Sequence, residues 1–421
     1  MKIFLDMVGC RLNQAEIDAM AIDLANRGAE IVSDPSLADT IIVNTCCVTA
    51  KASADSRKMI RHYKSSFPAQ VVSTGCWVNV DRPEAVEISD QVYFNDQKEL
   101  IPEFLLQSPA DTIVELERKP KLGTRNRTRG FVKVQDGCNN ACSFCLTTIA
   151  RGKSISTSPE KIIERVKQLE RMDIKEIILT GVQLGSWGKD LTTKSHLSNL
   201  LEHLLVHSEI PRIRLSSIEP WDIDQKLADL LNNPRVMPHL HIPLQSGSDL
   251  ILRAMRRPVT QERFSQVLTM LRDTSPQLAI TTDVISGFPG ETDELFEESL
   301  DFIKSCNFSG GHVFSFSPMP GTLAFDMADK VNPATIKSRT NQLLAHFERQ
   351  QKNYQQQKYG QIEQVLFESR KRAPQSKYFQ GFTTDYQRVV CKNDESLINQ
   401  IENVKIVEID ENGDLHGVIV T

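Results

Sequence analysis

The sequence lacks any uninterrupted apolar run that approaches the roughly eighteen residues of a membrane-spanning helix. Its first residues reach an acid at Asp6, too early for the apolar core of a signal peptide. A hydrophobic content of 40% and a charged content of 24% exclude a disordered chain. We therefore expect a soluble, cytoplasmic protein with no membrane partner. Its 421 residues predict two or three domains.

An overall excess of positive charge is also absent, because the formal net charge is −5. Binding of nucleic acid would therefore have to rest on local basic patches. Disulfides are not expected among the nine cysteines, since the cytosol keeps thiols reduced. Metal binding or catalysis is the use that this cysteine content favours.

The central cysteine loop follows an apolar stretch at residues 131–134 and has the spacing C-x3-C-x2-C at Cys138, Cys142 and Cys145. Short spacings of this kind hold an iron–sulfur cluster by thiolate ligation. Three thiolates on a cluster of four irons leave one iron open for a second molecule. Structural zinc is the alternative, but it needs four ligands, and no Cys or His follows Cys145 at a local spacing.

The N-terminal region alternates short β-prone runs with helical periodicity. The runs lie at residues 2–8, 40–44 and 70–73, and the helical stretches at 13–26 and 52–67. This alternation predicts an α/β sheet.

A cysteine follows each of these three β-prone runs, namely Cys10, Cys46 and Cys76. The carboxyl ends of parallel strands lie at one edge of a sheet, so the three thiols are predicted to meet there as a second cluster site. Three buried structural thiols are the alternative. Cys306 and Cys391 have no partners at metal-ligand spacing and are expected in the core.

A basic connector follows the N-terminal region. It has six cations and no acid within twelve residues: Arg118, Lys119, Lys121, Arg125, Arg127 and Arg129. Such a run is either a solvated linker or a surface that guides a phosphate-bearing substrate to the cysteine loop.

The central region repeats strand and helix. Six strands are predicted at residues 131–134, 176–179, 212–215, 239–242, 279–284 and 312–316. Six such units suggest a partial barrel, whose active groups lie at the carboxyl ends of the strands. Glycines there allow close approach to a ligand, and Gln or Glu can bond its polar groups. The candidate cofactor-binding residues are Gly181, Gln183, Glu219, Gln245, Ser246 and Gly287.

The C-terminal region changes to short β-prone runs at residues 364–367, 388–391, 404–409 and 415–420, which fits a small antiparallel barrel. A basic cluster with Arg370, Lys371 and Arg372 precedes four aromatic residues, which suits stacking on unpaired RNA bases. The alternative is that the aromatics Tyr378, Phe379, Phe382 and Tyr386 fill the barrel core.

Several motifs together resemble the methylthiotransferase family of radical S-adenosylmethionine (SAM) enzymes. They are Gly9-Cys10, Asn44-Thr45-Cys46, Gly75-Cys76 and the C-x3-C-x2-C loop, and the resemblance covers nearly the whole chain. It implies two 4Fe-4S clusters: an auxiliary one on Cys10, Cys46 and Cys76, and a catalytic one, which cleaves SAM, on the central loop. In an extended segment only one of Cys46 and Cys47 can face a cluster, and Cys46 occupies the family's position.

The predicted fold class is α/β, with three folded regions and two connectors. These are a flavodoxin-like methylthiotransferase domain (1–117), the basic connector (118–130), a partial (βα)6 TIM-like radical SAM barrel (131–330), a helical linker (331–360) and a small β-barrel of the RNA-binding TRAM type (361–421). The resemblance implies that the C-terminal domain contacts RNA, and the basic connector and the C-terminal basic cluster supply the predicted RNA contacts Arg125, Arg127, Arg129, Arg370, Lys371 and Arg372.

Within the family, further motifs are most similar to the branch that acts on N6-threonylcarbamoyladenosine in tRNA. They include residues 10–16, 180–186 and 215–220. The other branches act on isopentenyl-adenosine in tRNA and on an aspartate of a ribosomal protein. The implied partners are the tRNA anticodon stem-loop, a reductant such as flavodoxin or ferredoxin, and an unidentified sulfur donor. One departure is Leu146-Thr147-Thr148, where the family commonly has Ile-Ile-Pro.

Overall fold

The computed structural model describes residues 1–106, 128–370 and 376–420. Its N-terminal region is a five-stranded parallel sheet in the order β2-β1-β3-β4-β5. This is the flavodoxin-like order, so the predicted fold of the region is confirmed. The strands are β1 (Lys2–Met7), β2 (Glu30–Ile31), β3 (Thr40–Thr45), β4 (Gln70–Gly75) and β5 (Gln91–Val92).

Helices cover both faces of this sheet, as a parallel sheet requires, and all six residues of β3 are buried. The side chain of Thr49 caps the second helix by accepting the backbone N–H of Ala52. The helices are α1 (Arg11–Asn26), α2 (Ala50–Ser66), α3 (Cys76–Val80), α4 (Arg82–Ile88) and α5 (Ile101–Leu106).

The central region forms an open barrel of six parallel strands. It consists of two three-stranded sheets joined by isolated parallel bridges, Ile213 with Val236 and Ser217 with His241. In barrel order the strands are β6 (Arg129–Lys133), β9 (Glu176–Thr180), β10 (Arg212–Leu215), β11 (His239–His241), β12 (Ala279–Ser286) and β13 (Gly310–Ser315), with a short hairpin of β7 (Gln135–Asp136) and β8 (Ile155–Ser156) beside β6. Each of the six strands overlaps a predicted one.

Amphipathic helices surround this barrel and bury its outer side. Their apolar stripes at Ile162, Val166 and Leu169 and at Phe264 and Leu271 belong to one continuous core. The helices are α6 (Thr147–Arg151), α7 (Pro159–Arg171), α8 (Leu197–His207), α9 (Gln225–Leu230), α10 (Asp249–Ala254), α11 (Gln261–Thr274) and α12 (Asp293–Ser305).

A long helix, α13 (Pro333–Gln356), leads to a closed five-stranded barrel, which confirms the predicted C-terminal fold. Its strands are β14 (Ile362–Arg370), β15 (Tyr378–Thr383), β16 (Arg388–Lys392), β17 (Ile401–Ile409) and β18 (Leu415–Ile419). The pairing is antiparallel except between β16 and β18, which run parallel. Strand β15 was not predicted, because its aromatics resemble an RNA-stacking surface.

The C-terminal barrel packs against the open barrel through buried arginines. Arg214 donates to Glu176 at 2.8 Å and to the carbonyl of Thr384 at 2.9 Å. Arg212 donates to the carbonyl of Gln364 at 2.9 Å. These contacts hold the two regions together. No helix within the described residues has both the length and the apolarity to cross a membrane.

Candidate functional site

Three of the six predicted ligand cysteines follow a glycine in the left-handed region of backbone space. Gly9, Gly75 and Gly137 have φ angles of 116°, 105° and 68°. A Cβ on Gly9 would lie 2.6 Å from the Cβ of Cys46, and one on Gly75 would lie 2.5 Å from the side-chain oxygen of Asn44. Glycine is therefore required both for the turn and for the close approach.

The N-terminal cysteines lie together at the carboxyl edge of the flavodoxin-like sheet. Cys10, Cys46 and Cys76 follow β1, β3 and β4 and line one cavity of about 600 Å³. Cys47 lines it as well, contrary to the expected alternation. The reason is that the strand ends at Thr45, so the backbone is no longer in a sheet where side chains alternate.

The thiols of this group differ in acidity. The hydrogen bond from Cys47 lowers the pKa of Cys76 to about 6, with burial opposing it and Arg151 adding to it. Burial raises the pKa of Cys46 to about 11 and also raises that of Cys10. Of these thiols, Cys76 therefore loses its proton most easily, and metal coordination would deprotonate the others.

Arg151 connects the two cysteine groups and was not among the predicted site residues. It lies at the end of α6, six residues after Cys145, and its Nε donates to the Sγ of Cys76 at 3.0 Å. Its Nη1 donates to Glu16 and to Asp136, each at 2.9 Å. This guanidinium therefore connects the segment after the central loop with Cys76 at the carboxyl edge of the flavodoxin-like sheet.

Glu16 is the buried counterion of this connection. Its carboxylate accepts from Lys98 at 2.7 Å, and both side chains are only 3% exposed. Burial alone would raise the pKa of Glu16, but Lys98, Arg151 and Lys133 outweigh burial and hold it well below its ordinary value. The carboxylate is ionised and fixes Arg151 in place.

The central loop directs backbone N–H groups at two of its thiols. Asn140 donates to the Sγ of Cys138 at 3.3 Å, and Thr147 donates to the Sγ of Cys145 at 3.4 Å. Burial raises the pKa of Cys142, while the charge of Arg257 opposes that rise. Donors of this kind stabilise thiolates.

Arg257 is a second residue that the sequence analysis missed. It forms a two-point ion pair with the predicted residue Glu219, at 2.8 and 2.6 Å, and also donates to the carbonyl of Pro243 at 2.7 Å. Its guanidinium lies 4.7 Å from the ring centroid of Trp221. These contacts hold Glu219 and Arg257 beside Cys142.

Gly181 and Gln183 lie next to the central loop. The side-chain oxygen of Gln183 is 3.3 Å from the Sγ of Cys138, and its backbone N–H donates to Gln135 at 2.9 Å. Gly181 lines the main cavity, where a Cβ would lie 2.8 Å from Gln135.

Three other predicted cofactor residues, Gln245, Ser246 and Gly287, do not line the main cavity. Ser246 is buried and accepts the backbone N–H of Ser248, while Gln245 has a φ of 75° and pairs with Val284. Gly287 packs against Ile336 of α13 and lines a separate cavity of about 540 Å³. A role for these three residues in cofactor binding stays a prediction.

The main cavity lies between the flavodoxin-like sheet and the mouth of the open barrel. Its barrel side has further polar residues: Ser216 and Ser217, which belong to the motif at 215–220, and His241, Asp283 and His312, which the sequence analysis did not single out. Among the described residues, no three His, Cys, Asp or Glu side chains are grouped to hold a single metal ion. An iron–sulfur cluster differs because it spreads thiolates over separate irons, and the two groups of thiols are the donors that such clusters use.

Of the predicted RNA contacts, Arg125, Arg127, Lys371 and Arg372 lie outside the described residues. Arg129 is committed to the interior, because its side chain donates to Glu368 at 3.2 Å and to the hydroxyl of Tyr386 at 3.1 Å.

The partly buried Arg370 donates to the carbonyl of Ser376 and lies over the ring of Phe379. Phe379 itself fills the barrel core, while Tyr378 is 47% exposed.

Comparisons with known proteins agree with this site. Residues 132–303 match the radical SAM superfamily, and residues 2–94 match the Uncharacterized protein family UPF0004. The structure of the radical S-adenosylmethionine methyltransferase TsrM from Kitasatospora setae covers 77% of each chain with a TM-score of 0.58 and 14% identity. At that identity the likeness concerns the fold alone. Residues 132–303 thus form a radical SAM region, which implies binding of SAM and a 4Fe-4S cluster.

Curated relatives define the family more narrowly. The threonylcarbamoyladenosine tRNA methylthiotransferase MtaB of Bacillus subtilis is 35% identical, with 95% of this chain and 92% of the relative covered. The tRNA-2-methylthio-N(6)-dimethylallyladenosine synthase of Bartonella henselae is 33% identical, with 87% and 86% covered. The chain belongs to the radical SAM methylthiotransferase family.

Proposed function

We propose that this enzyme modifies tRNA by methylthiolation of C2 of N6-threonylcarbamoyladenosine next to the anticodon, giving 2-methylthio-N6-threonylcarbamoyladenosine. The observation that carries the proposal is the single cavity that both cysteine groups approach. Cys145 from the central loop and Cys10, Cys46 and Cys76 from the sheet edge all line it. A substrate atom there is within reach of both groups, as a reaction with two reactive centres requires.

In this proposal Cys138, Cys142 and Cys145 hold the catalytic 4Fe-4S cluster, and Cys10, Cys46 and Cys76 hold an auxiliary one. When bound with SAM, these groups supply the radical and sulfur chemistry that replaces the C2 hydrogen, a hydrogen without useful acidity. The protein's own residues provide placement. Arg151 fixes the two groups relative to each other, because it belongs to α6, which follows Cys145 closely, and its guanidinium donates to the Sγ of Cys76.

The residues beside the central loop would bind SAM. Gln183 and Gly181 lie beside Cys138 and the cavity, and the Arg257–Glu219 pair lies beside Cys142. Backbone exposed at a glycine and a fixed carboxylate suit the amino, carboxylate and hydroxyl groups of this cofactor. The proposal also includes Gln245, Ser246 and Gly287 as cofactor contacts. A reductant such as flavodoxin or ferredoxin would supply electrons.

The tRNA anticodon stem-loop is the proposed partner, bound by Arg125, Arg127, Arg370, Lys371 and Arg372. The relatives named MtaB, at 34 to 35% identity, support the threonylcarbamoyladenosine branch. Relatives named dimethylallyladenosine synthases, at 30 to 33%, make isopentenyl-adenosine in tRNA the second candidate. An aspartate of a ribosomal protein is a third, which the family resemblance alone suggests.

Nucleoside mass spectrometry tests the proposal. Transfer RNA is taken from a host that lacks this activity, with and without expression of the chain. We expect 2-methylthio-N6-threonylcarbamoyladenosine only when the chain is expressed. Methylthio-isopentenyl-adenosine in its place would move the enzyme to the other branch. Neither product, from protein with full iron and sulfide, would direct attention to a protein substrate.

A further inference from the structure

One end of the main cavity carries polar groups that the proposed chemistry at the cysteines does not use. We call Arg11, His241, Asp283 and His312 the polar end of the cavity. Three of them lie on adjacent barrel strands, where Asp283 of β12 is in register with His312 of β13. His241 Nε2 lies 3.1 Å from the carboxylate of Asp283, and the two histidine rings are 5.9 Å apart.

The basic groups of the polar end outnumber its acid. Asp283 and the hydroxyl of Thr281 occupy both ring nitrogens of His241. His312 is exposed in the cavity and has no hydrogen-bond or ion-pair partner among the described residues. One basic side chain is thus directed at the space that a substrate would fill.

Arg11 supplies a positive charge at this end of the cavity. It follows Cys10 directly, and its described partner is Tyr386, by a 3.3 Å hydrogen bond to the hydroxyl and a guanidinium 5.4 Å from the ring. Within the described part of the chain it pairs with no carboxylate. Burial is the main cause that lowers the pKa of His239, and the charge of Arg11 also contributes. His239 lies two residues before His241 on β11. Arg11 lines the same cavity as His241 and His312, so its guanidinium belongs to the same end of the substrate space.

We propose that Arg11 and His312 bind the carboxylate of the threonyl substituent, and that the His241–Asp283 pair orients the ureido and hydroxyl groups beside it. This inference rests on the proposed function and names the part of the site that selects the substrate. A hydrocarbon substituent such as isopentenyl would leave these polar groups without partners. Sites built for polar groups reject analogues that lack them for this reason.

Binding of modified anticodon stem-loops tests the inference. The three RNAs carry threonylcarbamoyladenosine, its uncharged carboxamide, or isopentenyl-adenosine, and binding to the reconstituted full-length enzyme is measured without reductant. We expect the wild type to bind the threonylcarbamoyladenosine RNA about tenfold more tightly than the carboxamide RNA, because a hydrogen bond to a charged group contributes about that much to affinity. His312→Phe should reduce this preference below about threefold and leave carboxamide binding unchanged. Arg11→Met should reduce it as well, while Arg11→Lys retains part of it.

His207→Phe is the matched control, because His207 is exposed on α8 and does not line the cavity. It should keep the wild-type preference. His312→Gln keeps a hydrogen-bonding group and should give an intermediate preference, which separates recognition from a folding defect. Equal affinity of the wild type for acid and carboxamide would overturn the inference.

A uniform loss of affinity in His312→Phe would also overturn it, since that result indicates a packing role. Weaker SAM binding with an unchanged RNA preference would do the same and would assign the polar end to the cofactor. Failure of the proposed function looks different: wild-type enzyme would then yield no methylthio-threonylcarbamoyladenosine, and the acid RNA would bind no better than the isopentenyl RNA.

Discussion

In the proposed mechanism the six cysteine residues are cluster ligands with two separate roles. We expect Cys142→Ala to abolish both cleavage of SAM to deoxyadenosine and methylthiolation, because the catalytic cluster then has two thiolates. Cys76→Ala should abolish methylthiolation but spare SAM cleavage. Chromatographic assay of deoxyadenosine, with iron and sulfide content, measures both effects.

Cys306→Ala is the control for these variants. Cys306 is buried in the core of the open barrel, so its loss should leave iron content unchanged. Turnover in Cys142→Ala, or loss of both activities in Cys76→Ala, would contradict the division of roles.

Glu16 links stability to pH, because its pKa is held well below its ordinary value by Lys98, Arg151 and Lys133 against the effect of burial. A depressed pKa contributes stability above the unfolded value and loses it as pH falls through the folded value. We expect Glu16→Gln to destabilise the protein by about 3 to 5 kcal/mol at neutral pH, since it leaves buried cations unpaired. The difference from wild type should narrow below pH 4.5.

Urea unfolding at a series of pH values measures this difference. Glu99→Gln is a suitable control, because Glu99 contacts Lys133 from a side chain that is 77% exposed. Its effect should be small at every pH. If the difference in unfolding free energy between Glu16→Gln and the wild type stayed constant in acid, this would contradict the assignment of the low pKa to Glu16.

At the scale of the element, the turn from β4 into α3 places Cys76. A Cβ at Gly75 would meet both the Asn44 side chain and the backbone of Thr45, whereas Gly28 has a similar φ of 88° with nothing within 4 Å. Gly75→Ala should therefore lower auxiliary iron content and thermal stability together. Gly28→Ala should cost about 1 kcal/mol and leave the iron unchanged. Equal iron content in the two variants would show that contact at Gly75 does not position Cys76.

At the scale of the whole molecule, Tyr386 joins all three folded regions. Its hydroxyl accepts from Arg11 and Arg129, and its ring lies 4.7 Å from the guanidinium of Arg214 and 5.3 Å from the ring of His239. Burial would raise the pKa of Tyr386, but Arg129 and Arg11 outweigh it and lower the pKa.

We expect Tyr386→Ala to loosen the C-terminal barrel at a cost of about 2 kcal/mol, because three arginines lose a shared partner. Amide hydrogen exchange should increase along β14, β15 and β16. Tyr378→Ala removes an exposed ring of the same barrel and should leave exchange unchanged. Protection that is equal in the two variants would mean that Tyr386 does not hold the regions together.

The sequence by itself determined most of the element types, the three folded regions and the two sets of three cysteines. It could do so because alternation of β-prone and helical segments, and thiols at short spacing or at strand ends, are local patterns. The predicted strands of the open barrel and the flavodoxin-like sheet follow from such patterns. Strand β15 did not, since its aromatic residues are compatible with either a core or a surface.

Only the tertiary structure decided which distant side chains share the site. Arg151 meets Glu16 across 135 residues, and Arg129 meets Tyr386 across 257. Pairing at that separation depends on the packing of whole regions, which no local pattern records. The same packing brings Arg11 and His312 to one cavity and turns Cys47 into it, because the chain leaves the strand just before Cys46.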